Sequence, residues 1–352
     1  MAAFRRGAVL LAAGAVGAGL VLRQRDRHRR ALDFRDSVVL VTGGSRGLGL
    51  LLAREFGREG ATVAICARDA AELERARAWL AEHGVTATTS VCDVADRGAV
   101  ERMIDEVRQR HGVPDVLVNN AGIIQVGPID TMTHEDFRRS MDINFWGTVN
   151  TTLTVLPEMR RRGRGRIVNI TSIGGKVSVP HLLPYGAAKF AAVGFSEGLR
   201  AELEGEGVDV VTIVPGLMRT GSHVNAEFKG NAEAESRWFS LGATLPLVSM
   251  DAERAARQIV RAARHGSTVR VLSLPAIALA TAHGVAPGVV TRGLGAVQQL
   301  ILPEGETGPA VRGMELEQPG WLRTLTRLGR VAARRFRQYP GPVGASRAAG
   351  GQ

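Results

Sequence analysis

The stretch "SVVLVTGGSRGLGLLLAREFGREGATVAICARD", Ser37 to Asp69, decides the fold. Ser37 to Val41 is a β-branched apolar run that stops at glycines, the pattern of a strand buried on both faces. Leu48 to Arg58 has apolar residues at helical spacing and ends near Gly60. Ala61 to Cys66 is a second apolar run. The three make a βαβ unit with a glycine-rich turn between the first strand and its helix. Gly43, Gly47 and Gly49 stand there as TGxxxGxG. Glycines at those positions let the backbone turn tightly and approach a pyrophosphate, whose charge then faces the helix N-terminus. Ser45, Arg46 and Leu48 complete the loop expected to hold that group.

The alternation continues outward. Helices are expected at Ala70–His83, Asp96–His111, His134–Arg162 (interrupted near Gly147), Pro184–Glu204 and Asp251–His265. Strands are expected at Thr86–Val91, Asp115–Asn119, Arg166–Thr171, Val208–Val214 and Thr268–Val271. Repeated αβ order with continuous apolar strands implies an α/β architecture with a doubly wound parallel sheet. Three regions follow: 1–30, an apolar segment with a basic flank; 31–271, one catalytic domain; and 272–352, an extension first apolar and then basic.

The strand ends carry the remaining cofactor candidates. An acid closing the second strand would bond an unphosphorylated ribose. This chain reads "AICARD", with Ala67 at that point and Arg68 next. Arg46 and Arg68 together suit a 2′-phosphate, which guanidinium binds bidentately. The expected cofactor is NADP(H), with Asp69 keeping NAD(H) as the alternative. "CDV" puts Asp93 and Val94 at the end of the third strand, and "NNAG" puts Asn120, Ala121 and Gly122 at the end of the fourth. Ligands of open α/β sheets bind there.

"PYGAAKF", Pro184 to Phe190, pairs a rare tyrosine with a rare lysine. The chain has two tyrosines, and only three of its 45 basic residues are lysines. Tyr185 and Lys189 are four residues apart, on one helical face. A phenol titrating near pH ~10 is a poor acid–base catalyst unaided, and a neighbouring ammonium lowers that value. Lysine's compact charge also suits ribose hydroxyls.

The joint order of TGxxxGxG, Asp93, NNAG, Asn144, Ser172, YxxxK and "PGLMRT" resembles the short-chain dehydrogenase/reductase family over about residues 36–265. The resemblance implies a Rossmann fold and an oxidoreductase interconverting a carbonyl and a secondary alcohol. It implies Tyr185 as general acid/base, with Lys189 lowering its pKa and binding the nicotinamide ribose. Ser172 would bond the substrate oxygen, and Asn144 would hold a water linking Lys189 to solvent. Pro215, Gly216 and Thr220 would border the nicotinamide, with Thr220 on its carboxamide. The family also implies a homo-oligomer built through the helices that hold Asn144 and Tyr185.

The resemblance implies that the segment after Pro215, through about Leu247, forms the substrate lid; it contains His223, Phe228, Trp238 and Phe239. With the apolar "VSVPHLLP" it suggests a hydrophobic, lipid-like substrate. A soluble reductase of small carbonyls and a non-catalytic cofactor sensor are the alternatives. The histidines are scattered, so no metal site is expected. Cys66 and Cys92 lack ligand spacing and are expected as buried core residues.

The net charge of +11 is concentrated at the ends. Residues 1–30 hold seven arginines and one aspartate, and residues 320–352 hold seven arginines and no acid. Basic ends beside apolar segments suit an anionic membrane surface, and no nucleic-acid motif accompanies them. Gly7 to Leu22 is uncharged and flanked more heavily by arginine on its C-terminal side. It is expected to be an uncleaved membrane anchor, leaving the catalytic body cytoplasmic. Residues 271–291 are apolar but broken by Pro275, Gly284, Pro287 and Gly288. Two short helices that cover a pocket or dip into a membrane are expected there. "WLRTLTRLGRVAARRFRQYP" reads as one basic amphipathic helix.

Overall fold

The computed structural model describes residues 31–305 and 308–340, so the expected anchor at Gly7–Leu22 lies outside the described residues. The first strand, β1 (Val38–Thr42), is buried along its whole length. Its alternating side chains serve two cores. Val39 and Val41 face one, with Phe34, Leu51 and Phe56, the last two from helix α1 (Gly47–Arg58). Val38 and Leu40 face the other, with Val100, Ile104, Leu156 and Met159. A strand apolar on both sides is stable only where helices cover both faces of its sheet.

The order is β2 (Thr62–Ala67), α2 (Ala70–Glu82), β3 (Ala87–Val91), α3 (Arg97–His111), β4 (Val116–Asn119), α4 (His134–Met141), α5 (Gly147–Arg162), β5 (Gly165–Ile170), α6 (Leu183–Glu202), β6 (Val208–Pro215), α7 (Ala232–Thr244), α8 (Ala252–Arg264) and β7 (Val269–Leu272). The seven strands pair in the order β7-β6-β5-β4-β1-β2-β3. Every neighbouring pair is parallel. This is the doubly wound Rossmann sheet. Its winding reverses between β1 and β4, so a crevice opens beyond the carboxyl ends of those two strands.

The break expected near Gly147 is a π-helical turn, Asp142–Trp146, between α4 and α5. Several two-residue strands escaped the sequence reading because they are too short to show a period. Glu227–Phe228 pairs in parallel with Gln125–Val126 and antiparallel with Val311–Arg312. The last strand ties the C-terminal extension to the lid.

The extension begins with the two short apolar helices expected, α9 (Leu274–Val285) and α10 (Pro287–Leu300). They stand off the body: α10 buries no residue, and α9 buries only Ala276. The single basic helix expected next is two, α11 (Gly320–Leu325) and α12 (Arg327–Arg335). They join at buried Thr326, whose hydroxyl donates to the Leu322 carbonyl at 2.7 Å. Their inner face is Leu322, Ala332, Ala333 and Phe336, and Ala332 and Phe336 join the core beneath β1. Trp321, Leu325, Leu328 and Val331 remain exposed on the outer face.

Candidate active site

The glycine turn is held by its neighbour across the crevice. The Thr42 hydroxyl accepts from the amides of Asn120 and Ala121 at 3.0 and 3.1 Å. Asn120 Nδ2 donates to the Thr42 carbonyl at 3.0 Å and the Gly43 carbonyl at 3.2 Å. This closeness explains two glycines. A Cβ at Gly43, whose φ is +63°, would lie 2.8 Å from the Ala121 Cα, and one at Gly49 would overlap the Gly43 carbonyl.

Beneath this lies a buried polar chain. Asn119 Nδ2 donates to Thr152 Oγ1 at 3.0 Å and to Asn169 Oδ1 at 2.9 Å. Thr151 Oγ1 donates to Asn119 Oδ1 at 2.6 Å. Asn169 Nδ2 donates to Ser196 Oγ at 2.9 Å, and Ser196 meets Thr212 at 2.7 Å. Asn119 thus works inside the sheet, while Asn120 to Gly122 face the cleft.

A cleft of about 710 Å³ opens over these strand ends. Gly43, Ser45, Arg46, Gly47, Leu48, Arg68, Asp93, Val94, Asn120, Ala121, Gly122, Asn144, Tyr185, Lys189 and Thr220 all line it. Gly49 lies behind the turn, and Ser172 beside Tyr185. Pro215 and Gly216 do not line it. The Gly216 amide donates to the Leu272 carbonyl at 3.2 Å, and a Cβ there would meet Ser273 and Ala276.

At the glycine-turn end, Arg46 pairs with Glu72 at 2.9 Å, and Ser45 Oγ donates to the same carboxylate at 3.1 Å. Burial depresses the Arg46 pKa; Glu72 opposes this, and Arg68 and Arg312 add to it. Arg68 lies 3.9 Å from Asp93. Asp69 caps α2, accepting from the Glu72 amide at 2.8 Å. Asp93 Oδ1 accepts from the Ala95 amide at 3.0 Å.

At the other end, the π turn carries Asn144. Extra turns of this kind are common where a helix must aim a functional group. Asn144 Nδ2 donates to the Ile123 carbonyl at 3.2 Å, and its Oδ1 accepts from the Ile123 amide at 3.3 Å. Gly122 keeps the space between Asn144 and Lys189 open: a Cβ there would be 2.6 Å from Asn144 Oδ1 and 3.7 Å from Lys189 Nζ. Lys189 Nζ donates to the Ile170 carbonyl at 3.1 Å, 5.8 Å from the centre of the Tyr185 ring. Burial lowers its pKa to about 8. Burial also raises the Tyr185 phenol, and a hydrogen bond with Ser172 partly offsets this. In this arrangement the Lys189 ammonium is turned to a backbone carbonyl.

The residues fit a dinucleotide. The glycine turn offers unpaired helix amides, and Lys189 faces the cleft with no carboxylate partner among the described residues. Among those residues no cluster of His, Cys, Asp or Glu could hold a metal ion. Cys66 and Cys92 are free and buried under the cleft floor. Sequence reasoning missed Arg139, Asn225, Glu227, Arg312 and Gln338, which also line the cleft. Arg139 comes from α4 and the others from the lid and the extension, and no local pattern marks them.

Comparison with known proteins gives a consistent picture. The model for "short chain dehydrogenase" matches residues 37–229. Dehydrogenase/reductase SDR family member 7B of Rattus norvegicus is 40% identical over 220 residues, 60% of this chain and 67% of that protein. A short-chain dehydrogenase structure from Streptomyces avermitilis is 31% identical with a TM-score of 0.64, covering 75% of this chain and 97% of its own. A gluconate 5-dehydrogenase from Burkholderia cenocepacia, in complex with NADP and tartrate, is 28% identical with a TM-score of 0.61, covering 71% and 98%.

His223, on the lid wall under α12, yields a pH prediction. Its side chain is buried, and burial together with nearby Arg330 lowers its pKa to about 4. An unfolded histidine titrates near ~6.5, so between that value and 4 the unfolded chain binds the extra proton. The histidine's contribution to stability is therefore complete above pH ~6.5 and is lost as pH falls toward 4. Urea midpoints measured across that range should fall with pH, and less steeply in His223→Gln. Equal slopes would refute the assignment.

Proposed function

Since this chain belongs to the short-chain dehydrogenase/reductase family, an oxidoreductase family acting on CH–OH and C=O groups, we propose that Tyr185 is its general acid/base and NADP(H) its cofactor. The observation that carries this is the convergence of Asn144, Ser172, Tyr185 and Lys189 at one end of a cleft whose other end is the glycine turn. Bound nicotinamide would donate or accept the hydride. Tyr185 gives its proton to the oxygen developing on the carbonyl carbon, or takes it back in the oxidising direction. Ser172 bonds the same oxygen and holds the phenol toward it. Lys189, now on the Ile170 carbonyl, would hold the ribose hydroxyls of the bound cofactor, and its charge there would favour the phenolate. Asn144 positions a water behind Lys189 through which the proton is replaced. Thr220, which lines the cleft, would hold the carboxamide.

The preference for NADP(H) rests on Arg46 and Arg68, with Asp69 already committed to capping α2. A 2′-phosphate would take Arg46 from Glu72 and Arg68 from Asp93. The related gluconate 5-dehydrogenase structure with NADP supports the same choice.

We also propose a hydrophobic substrate and membrane association. Helices α9 and α10 expose Leu274, Ile277, Val285, Val289, Val297 and Leu300, with Arg292 their single arginine. Among the described residues no helix is long and apolar enough to cross a membrane. A pair of this size suits the interfacial zone of a bilayer, with the basic outer face of α12 toward anionic headgroups.

Three measurements test these readings. Tyr185→Phe should cut kcat by about 10²–10⁴-fold on any substrate the enzyme turns over, with NADPH still bound; retained turnover would remove Tyr185 from the chemistry. In fluorescence titrations the protein should bind NADPH more tightly than NADH, and Arg46→Ala with Arg68→Ala should erase the difference; a preference for NADH would refute the phosphate argument. In flotation with phosphatidylcholine–phosphatidylserine vesicles the full chain should rise with lipid, and Leu274→Asp with Val289→Asp should lower its partitioning severalfold. Unchanged partitioning would take α9 and α10 off the membrane.

A further inference from the structure

Two parts of the extension enter the cleft from beyond the family-matched residues 37–229. The first follows α12. That helix ends in a Schellman motif: the Gln338 amide donates to the Ala333 carbonyl at 2.8 Å, and the Arg337 amide to the Arg334 carbonyl at 3.4 Å. Arg337 sits in the left-handed position usually given to glycine, with φ 56°. This reversal brings the Phe336 carbonyl and the Gln338 side chain to the glycine turn.

The Phe336 carbonyl accepts from the Gly47 amide at 2.8 Å. Gly47 is the first residue of α1, and the preceding Arg46 gives that helix no side-chain cap. The extension supplies the cap instead. It uses one of the free amides at the helix start and leaves those of Leu48 and Gly49, which no carbonyl of their own helix can reach. Gln338 is 4% exposed. Its Nε2 donates to the Thr220 carbonyl at 3.1 Å, and Asn225 Nδ2 donates to both its Oε1 and its backbone carbonyl at 2.8 Å. One side chain thus joins the glycine turn to both ends of the first lid segment.

The second part is Arg312. Its strand partner Glu227 is committed to Arg139 by two bonds of 2.7 Å. Arg312 lines the cleft, is exposed, and has no carboxylate partner among the described residues. It lies near enough to Arg46 for the two charges to repel. Unpaired guanidinium beside paired guanidinium in one cleft is an arrangement that an anion completes.

We propose that the C-terminal extension is part of the dinucleotide site, with Arg312 binding the phosphate-bearing part of the cofactor and residues 336–338 holding the glycine turn against the lid. The inference rests on the NADP(H) reading and adds residues to it from outside the family core. Dinucleotide binding then requires the extension to be docked. It also stiffens the extension: a ligand touching Arg312 and the Gly47 turn draws the two together.

The test uses the full chain and reads binding, not turnover. NADPH affinity is measured by fluorescence titration, and the NADPH-induced rise in melting temperature by calorimetry. Arg312→Gln should raise Kd about tenfold and reduce its dependence on salt. Gln338→Ala should raise Kd severalfold and shrink the melting-temperature rise. Arg323→Gln, on the exposed side of α11, should bind as the unaltered chain does. Unchanged or tighter binding in both Arg312→Gln and Gln338→Ala would overturn the inference. Failure of the unaltered chain to bind either NADPH or NADH would overturn the cofactor reading beneath it.

Discussion

Two chain reversals meet at the hydroxyl of Thr42. One is the glycine turn after β1, the other the turn after β4, and four hydrogen bonds between Thr42–Gly43 and Asn120–Ala121 lock them together. The floor of the cleft is the seam between them. Leaving a buried polar group of this kind unpaired costs about 1–3 kcal/mol, so the crossing is either complete or strongly unfavourable. The same holds one layer down. The chain from Asn119 through Asn169 and Ser196 to Thr212 spans β4, β5 and β6 and reaches α6, the helix that carries Tyr185 and Lys189. The two ends of the active cleft are thus registered through polar contacts inside the sheet, where apolar packing alone would tolerate sliding.

The sheet was legible in the sequence because its strands are apolar on both faces and its helices have a regular stripe. Val38–Thr42 and Thr62–Ala67 fall within a residue or so of the runs read from periodicity. The cleft was legible where chemistry is local: glycines in one turn, or a tyrosine and a lysine one helical turn apart. It was not legible where residues meet through the fold. Arg312 and Gln338 sit in segments of ordinary composition, and only the pairing of two-residue strands and the end of α12 bring them to the cleft. Ionisation was equally hidden. A lysine near a tyrosine suggests a lowered phenol pKa, yet burial and the Ile170 carbonyl set the arrangement seen here.

The extension has two faces with different occupations. Leu322, Ala332 and Phe336 pack into the body, and the chain just beyond them reaches the glycine turn. Trp321, Leu325, Leu328 and Val331 point outward among arginines. One short helix pair therefore touches both the candidate cofactor site and the surface that would meet a bilayer. A shift of α12 at that surface would be felt at Gly47 through the bond to Phe336 and through the Gln338 side chain beside it.

The bond from Gly47 to Phe336 also orders events during synthesis. The glycine turn is synthesised before Phe336, with β1 and α1, and its βαβ unit can pack first. Its cap is translated near the last of the described residues. Until then the first turn of α1 has a bare amide. Capping of the glycine turn therefore follows the synthesis of Phe336 and not the folding of β1 and α1 alone.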